Sequence, residues 1–128
     1  MTITAYYPVF HVNDIDAALK EYTEELGFKL VHSVNDEFAS VRILEVNGYR
    51  IELLSSEMDF IKNKPEGFLN MRVNVREFDE AVAYFQAHGY RLDAEIFRTS
   101  SGEFAPMRND RNELLFVSHH FRKDETQG

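Results

Sequence analysis

The sequence predicts an α+β fold in which two βαβββ modules form curved mixed sheets around a cavity. The main evidence is an internal repeat, because three segments of the first half return in the same order, at nearly constant spacing, in the second half. The echoed pairs are residues 12–19 with 75–82, residues 27–30 with 89–92, and residues 37–42 with 103–108. Repetition over this length indicates duplicated supersecondary units, and two copies form a closed pseudo-symmetric domain rather than a solenoid.

The first copy has the signals of a strand, a helix and three further strands. Residues 6–12 are rich in aromatic and β-branched side chains, which is typical of a strand. Either Asn13 or Asp14 can cap the following helix, and Gly27 suits the left-handed position that ends it. The remaining strands are expected at residues 28–34, 38–46 and 49–54, with a hairpin turn at Asn47 and Gly48.

The second copy repeats this order. A strand is expected at residues 69–75, then a helix with Phe78, Ala81, Val82 and Phe85 on one side, then strands at 91–98, 103–108 and 113–118. We therefore expect one domain over residues 1–128. Its parts are module one at 3–55, a linker at 56–67 interrupted by Pro65 and Gly67, module two at 68–120, and a disordered tail at 121–128.

Composition excludes several classes of function. The formal net charge is −8, with 14 basic residues against 22 acidic ones, so neither nucleic acid nor an anionic membrane surface is expected as a partner. The chain has no cysteine, which excludes disulfides, thiol nucleophiles and cysteine-based zinc sites. No apolar run is long enough to span a membrane, and the first residues lack the features of a secretion signal, so a cytoplasmic location is expected.

Strand periodicity identifies the residues that could line a pocket. One parity of each strand packs under the helix and the other parity faces the cavity, where a ligand is most readily bound. Tyr7, Val9 and His11 share one parity, and Glu52 faces away from its neighbours on the last strand of module one. Glu52 is either a pocket carboxylate, acting as a general base or hydrogen-bond acceptor, or a carboxylate in solvent or paired with an arginine. Arg72 repeats the position of Val9 and could pair with Glu52.

The ordered motifs resemble the vicinal-oxygen-chelate superfamily, which includes glyoxalase I, extradiol dioxygenases and bleomycin resistance proteins. The segments that carry the resemblance are Val12-x-Asp14-Ile15-Asp16-x-Ala18, Tyr22-x-x-x-Leu26-Gly27-Phe28, Ile51-Glu52-Leu53 and Phe104-Ala105-x-x-Arg108-Asn109-Asp110-x-Asn112. The resemblance spans nearly all of residues 3–120 and implies a glyoxalase/bleomycin resistance-like fold.

The resemblance also implies where a metal ion would bind in this chain. The metal enzymes of the family place ligands at positions that correspond to Tyr7, Glu52, Asn70 and Phe116. Only Glu52 is an ordinary metal ligand, and Phe116 cannot bind a metal at all. Adjacent His119 and His120 point to opposite faces of a strand, so they do not form a metal pair. We therefore expect no metal and no other cofactor.

This chain therefore resembles the metal-free, bleomycin resistance-like branch most. That branch implies sequestration of a small to medium organic molecule, antibiotic-like or aromatic and cationic, by a homodimer that needs no catalytic residue. The pocket lies either across a dimer interface or within one chain. The expected ligand-binding residues are Tyr7, Val9, His11, Phe38, Glu52, Asn70, Arg72, Phe104 and Phe116, although core packing also fits the aromatic ones. The alternative is a glyoxalase- or dioxygenase-type enzyme that uses Glu52 as a metal ligand or general base.

Overall fold

The computed structural model describes residues 1–62, 64–65 and 68–121, apart from the side chain of Phe60. The chain divides into two compact units. The first unit is Tyr7–Leu69, and the second unit combines Met1–Tyr6 with the chain from Asn70 onward. The predicted linker residue Gly67 and residues 122–128 of the predicted disordered tail lie outside the described residues. Phe121, the first residue of that predicted tail, is described, and its N–H donates to Ser101 O at 3.0 Å.

The first unit follows the predicted order of elements. Its elements are β1 (Ile3–His11), α1 (Ile15–Lys20) continued by a π-helical turn (Glu21–Glu25), β2 (Lys29–Asn35), β3 (Ala39–Val46), β4 (Tyr49–Ser56) and α2 (Asp59–Lys62). The strand order is β2-β3-β4-β1, with β2 at the edge, β1 parallel to β4 and the other pairs antiparallel. The short helix α2 lies inside the predicted linker, where Lys62 N donates to Met58 O.

Local sequence signals explain where these elements begin and end. Of the two candidate caps for α1, Asp14 is the one that acts, because its Oδ1 accepts a hydrogen bond of 3.0 Å from Ala17 N. The β3–β4 hairpin turns at Asn47 and Gly48, which both have positive φ, at 51° and 86°. A two-residue turn of this kind matches the twist of its strands, so the predicted hairpin is confirmed.

The elements of the second unit are β5 (Leu69–Val75), α3 (Phe78–Ala87), β6 (Tyr90–Leu92), β7 (Phe97–Arg98), β8 (Gly102–Asn109) and β9 (Leu114–His120). The topology is that of the first unit, with strand order β5-β9-β8-β6 and β5 parallel to β9. Each unit therefore contains a strand, a helix and an antiparallel three-stranded meander, as the predicted α+β repeat requires.

The predicted continuous strand at residues 91–98 is wrong, because it is divided into β6 and β7. Leu92 pairs with Met107 and Phe97 pairs with Phe104, so the interruption faces Pro106. Proline has no N–H to donate to a neighbouring strand, although its carbonyl still accepts from Asp93 N at 2.8 Å. The Asp93 carboxylate meanwhile binds Arg108 Nε at 2.8 Å.

The core of the second unit lies between α3 and one face of its sheet. Helix side chains Phe78, Ala81 and Val82 pack on this face. The strand residues in the core all have the same parity, and they are Val73, Val75, Ala105, Met107, Leu115 and Val117. Strand residues of the other parity therefore occupy the opposite face, as the sequence pattern predicts.

Strand register relates the two units residue by residue. Val9 pairs with Glu52 in β1–β4, and Arg72 pairs with Phe116 in β5–β9, so Arg72 does repeat the position of Val9. The third sequence echo is not a structural equivalence. Val41 pairs with Leu54 and Phe104 pairs with Ser118, which makes Val41, and not Phe38, the counterpart of Phe104.

Candidate functional site

In the first unit, the predicted residues of β1 and β4 lie on one face of the sheet. Tyr7, Val9 and His11 alternate with less buried neighbours along β1, and Glu52 lies directly opposite Val9. Because paired residues on adjacent strands point to the same side, Glu52 shares the face of the three β1 residues. The Glu52 residue is 1% exposed, so its carboxylate is withdrawn from bulk water.

The side chains of Arg50 and His11, which also lie on this face, differ in their hydrogen bonding. Arg50 donates two hydrogen bonds, of 2.7 and 3.0 Å, to Glu45 Oε2, and its guanidinium carbon lies 5.7 Å from the centre of the Tyr7 ring. His11 donates its backbone N–H to Phe68 O. Its ring Nδ1 is buried and, among the described residues, has no hydrogen-bond partner. A buried nitrogen in this state is costly and is a candidate for contact with a ligand or water.

Phe38 lies apart from that row of strand residues, immediately before β3. It is 45% exposed and lines an open groove of about 610 Å³. Asp36 Oδ1 holds the turn by accepting from the backbone N–H groups of Phe38 and Ala39, each at 2.9 Å. The groove also has Glu37, Glu57, Asp59 and three serines in its walls, so it is strongly acidic. The role of Phe38 in ligand binding stays a prediction.

In the second unit, Arg72, Phe104, Phe116 and Ser118 form one connected group, called here the Arg72 cluster. The guanidinium carbon of Arg72 lies 5.0 Å from the centre of the Phe116 ring and 5.7 Å from that of Phe104. Arg72 Nη1 also donates a 2.7 Å hydrogen bond to Ser118 Oγ. All four residues are buried on the face opposite the core formed with α3. Phe104 and Phe116 are therefore not part of that core.

Further side chains extend this cluster. Phe97 stacks on Phe104 with ring centres 5.2 Å apart, and the His120 ring meets Phe104 edge-on at 5.6 Å. Asn70 is buried on the same parity of β5 as Arg72. Sequence reasoning missed Ser118 and His120 as site residues. The sequence could have indicated them, because residues 116, 118 and 120 alternate along one strand and therefore face the same side of the sheet.

The residues present do not fit a divalent metal ion. Among the positions that resemble family metal ligands, Tyr7, Glu52, Asn70 and Phe116, only Glu52 supplies an ordinary donor. The described residues contain no group of three or more His, Asp or Glu side chains placed to hold a metal. His119 Nδ1 lies 3.3 Å from Glu103 Oε2, whereas His120 contacts Phe104, so the two histidines have different partners.

In the part of the chain that the structure describes, no helix is long and apolar enough to cross a membrane.

Two βαβββ units with the same strand order define a protein of the paired βαβββ class. The family model described as the Glyoxalase/Bleomycin resistance protein/Dioxygenase superfamily matches residues 7–116. The chain belongs to this superfamily. Among curated proteins, none matches its sequence significantly.

Solved structures share the fold at low sequence identity. The hypothetical protein BH1468 from Bacillus halodurans is 18% identical with a TM-score of 0.73, covering 96% of this chain and 98% of its own. Methylmalonyl-CoA epimerase from Mycobacterium tuberculosis is 20% identical with a TM-score of 0.71, covering 94% and 91%. A single-residue variant of the Streptomyces coelicolor methylmalonyl-CoA epimerase, in complex with 2-nitronate-propionyl-CoA, is 17% identical with a TM-score of 0.73, covering 94% and 100%. At these identities the similarity establishes the fold alone.

Proposed function

We propose that this protein binds a small to medium organic molecule without a metal ion, as the bleomycin resistance-like members of its superfamily do. The observation that carries the proposal is the Arg72 cluster. It places two phenyl rings and a guanidinium group on the sheet face that the second-unit core does not use. Ring faces of this kind suit a planar or aromatic ligand, and a few polar groups fix its orientation.

The donor chemistry supports binding without a metal. In the metal enzymes that this chain resembles, a metal ligand stands at the position that corresponds to Phe116. Here that position holds a phenyl ring, which lies against Arg72. The proposal includes the homodimer and the cytoplasmic location expected from the sequence. Analytical ultracentrifugation tests the first and cell fractionation the second.

The experiment measures thermal unfolding with matched probes. These are 1-naphthoate, 1-naphthamide, 1-naphthylmethylamine and bleomycin, each with and without EDTA. A compound that binds the native state raises the melting temperature, and we expect a rise that EDTA does not change. If no probe raises the melting temperature, or if EDTA abolishes the rise and a divalent metal restores it, the proposal fails.

Variants connect the binding to the cluster. Phe104→Leu and Phe116→Leu remove ring faces beside Arg72, and each should weaken the binding of an effective naphthyl probe about tenfold. Phe85→Leu is the matched control, because Phe85 packs against the core on the other side of the sheet. This control should lower the melting temperature of the free protein and leave the affinity for the probe unchanged.

A second candidate function is proton transfer with Glu52 as a general base. The observation that favours it is the burial of this carboxylate on the face that it shares with Tyr7, Val9 and His11, because buried carboxylates are common among catalytic acids and bases. Two of the fold relatives described above are methylmalonyl-CoA epimerases. The residue similarity is too low to transfer their activity.

Deuterium exchange tests this second candidate directly. The protein is incubated with methylmalonyl-CoA in D2O, and loss of the α-proton signal is followed by NMR. Enzyme-dependent exchange that Glu52→Gln abolishes would establish the proton-transfer function. An exchange rate equal to that of the buffer would reject it for this substrate and leave the binding proposal in place.

A further inference from the structure

We infer that Asn47, in the turn between β3 and β4, is a site of spontaneous covalent modification, at which the asparagine is converted into aspartate or isoaspartate. The inference goes beyond the proposed function and does not depend on it. It rests on the exposure of the turn, on the glycine that follows Asn47, and on a comparison with the corresponding turn of the second unit.

The reaction uses the backbone nitrogen of Gly48 as its nucleophile. After a base has removed the proton, this nitrogen attacks Cγ of Asn47. The new N–Cγ bond closes a cyclic succinimide, and the Cγ–Nδ2 bond breaks, so that ammonia leaves with a proton from water. Water then opens the ring. Attack at the side-chain carbonyl gives aspartate, whereas attack at the backbone carbonyl gives isoaspartate, whose main chain continues through Cγ.

The turn leaves both reacting groups open. Asn47 and Gly48 are exposed, and Tyr49 beside them is 75% exposed. A Cβ atom added at residue 48 would meet no described atom within 4 Å beyond its chain neighbours, so the nitrogen of Gly48 is unshielded on that side. Glycine also gives the main chain the freedom to approach Cγ. The pair Asn-Gly occurs only here in the sequence.

Asn112, in the turn between β8 and β9, is the internal reference. Both asparagines have a left-handed backbone, with φ of 51° at Asn47 and 62° at Asn112. The residue after Asn112 is Glu113, whose backbone N–H donates to Asn109 Oδ1 at 3.0 Å. Asn112 Oδ1 accepts from Arg108 Nη1 at 3.3 Å. The nucleophile and the carbonyl group that it must attack are therefore both held at Asn112, so the same reaction should be slower there.

The isoaspartate product alters the hairpin because the turn has only two residues. Val46 pairs with Tyr49, and the next pair is Glu45 with Arg50, whose side chains meet at 2.7 Å. Isoaspartate adds one carbon atom to the main chain between the strands, so the turn can no longer close the same pairs without distortion. Aspartate leaves the main chain unchanged and adds only a negative charge.

The experiment follows the full chain during incubation at mildly alkaline pH. Trypsin releases residues 43–50 and 112–122 as separate peptides, and mass spectrometry detects the replacement of the amide –NH2 by –OH. We expect Asn47 to be converted at least about tenfold faster than Asn112, at a rate that increases with pH. The inference is overturned if Asn112 is converted as fast, or if Asn47 stays intact over a period that converts it in the urea-unfolded chain.

Two glycine variants test the chemistry. Gly48→Ala places a Cβ atom beside the nucleophilic nitrogen and should slow the conversion of Asn47 about tenfold, both in the folded chain and in urea. Gly27→Ala is the matched control. Gly27 is also exposed, with φ of 78° and open surroundings among the described residues, but it follows a leucine. This control should leave the conversion unchanged. Conversion of Gly48→Ala in urea at the rate of the unchanged chain overturns the inference.

Asn47→Asp tests the effect on the hairpin. This variant carries the charge of the products on a normal main chain, and its urea midpoint should stay close to that of the unchanged protein. The isoaspartate form, separated by chromatography and identified with a protein isoaspartyl methyltransferase, should unfold at a lower urea concentration than Asn47→Asp. Equal midpoints would overturn the effect on the hairpin.

Discussion

Gly102 lies directly opposite His120 in the antiparallel pairing of β8 with β9. A Cβ atom at residue 102 would overlap the backbone carbonyl oxygen of His119. The two strands therefore approach here only because residue 102 has no side chain. This approach also places His120 beside Phe104, since Phe104 follows Gly102 by one period of the strand.

Replacing Gly102 by alanine should consequently destabilise the second unit. Two backbones would have to separate, and we expect the free energy of unfolding to fall by about 1–3 kcal/mol. Urea denaturation measures the change. Ser33→Ala is the control, because Ser33 is an exposed strand residue and its replacement adds no atoms. Equal stability of Gly102→Ala and the unchanged protein would contradict the steric account.

Much of the fold was predictable because its signals are local. Asp14 marks the start of α1, the Asn47-Gly48 turn forms the hairpin, and Gly27 and Gly89 take the positive φ values that end the helical segments. The division of the strand at residues 91–98 was not predictable in this way. It depends on Pro106, a residue in the neighbouring strand, and the sequence does not state which strands become neighbours.

The candidate site was predictable in its strand parity but not in its contacts. The sequence related Arg72 to Val9 but left Phe104 and Phe116 open between the pocket and the core. The structure places all three on the face opposite α3. The hydrogen bond from Arg72 to Ser118 was missed, because a serine within an apolar strand also suits ordinary packing. The sequence repeat matched Phe38 with Phe104. In the structure the counterpart of Phe104 is Val41, three residues further along the chain.

The buried Nδ1 of His11 leads to a prediction about stability. Because this nitrogen has no hydrogen-bond partner among the described residues, it lost its contact with water without compensation. His11→Leu fills a similar volume without a polar atom, so we expect the free energy of unfolding to rise by about 1 kcal/mol. Chemical denaturation of the ligand-free protein checks this.

The control for that measurement is His119→Leu. His119 is only partly buried, and its Nδ1 faces Glu103 Oε2 at 3.3 Å, so its replacement should give no increase in stability. If His11→Leu instead lowers stability as much as an ordinary core truncation does, the His11 ring makes a hydrogen bond that stabilises the fold.

The cap of α1 gives a third prediction. Asp14→Ala removes the acceptor for Ala17 N and should lower the free energy of unfolding by about 1 kcal/mol. Asp14→Ser keeps a capping oxygen and should recover most of that loss. If the two variants are equally destabilised, the hydrogen bond to Ala17 N does not contribute to stability.

The pH dependence of stability is the fourth prediction, and it depends on two glutamates of the second unit. The backbone N–H of Thr2 donates to Glu77 Oε1 at 2.6 Å and lowers the pKa of that carboxyl below its ordinary value of 4.5. The side chain of Asn109, followed by that of Arg111, lowers the pKa of Glu113 in the same way. A carboxylate whose pKa is depressed in the folded state contributes stability above the pKa of the unfolded chain, and this contribution disappears as the pH falls through the folded pKa.

Glu77→Gln and Glu113→Gln should therefore lower the urea midpoint near neutral pH, and the difference from the unchanged protein should vanish in acid below both folded pKa values. Both carboxyl groups are at the surface, so salt should reduce each effect. Glu57→Gln is the control, because Glu57 is almost fully exposed and meets the exposed Lys62 at 3.4 Å. Its midpoint should follow that of the unchanged protein at every pH. A difference for Glu77→Gln that persists undiminished in acid would mean that Thr2 N is not held by the ionised carboxylate, since the protonated group would then bind it equally well.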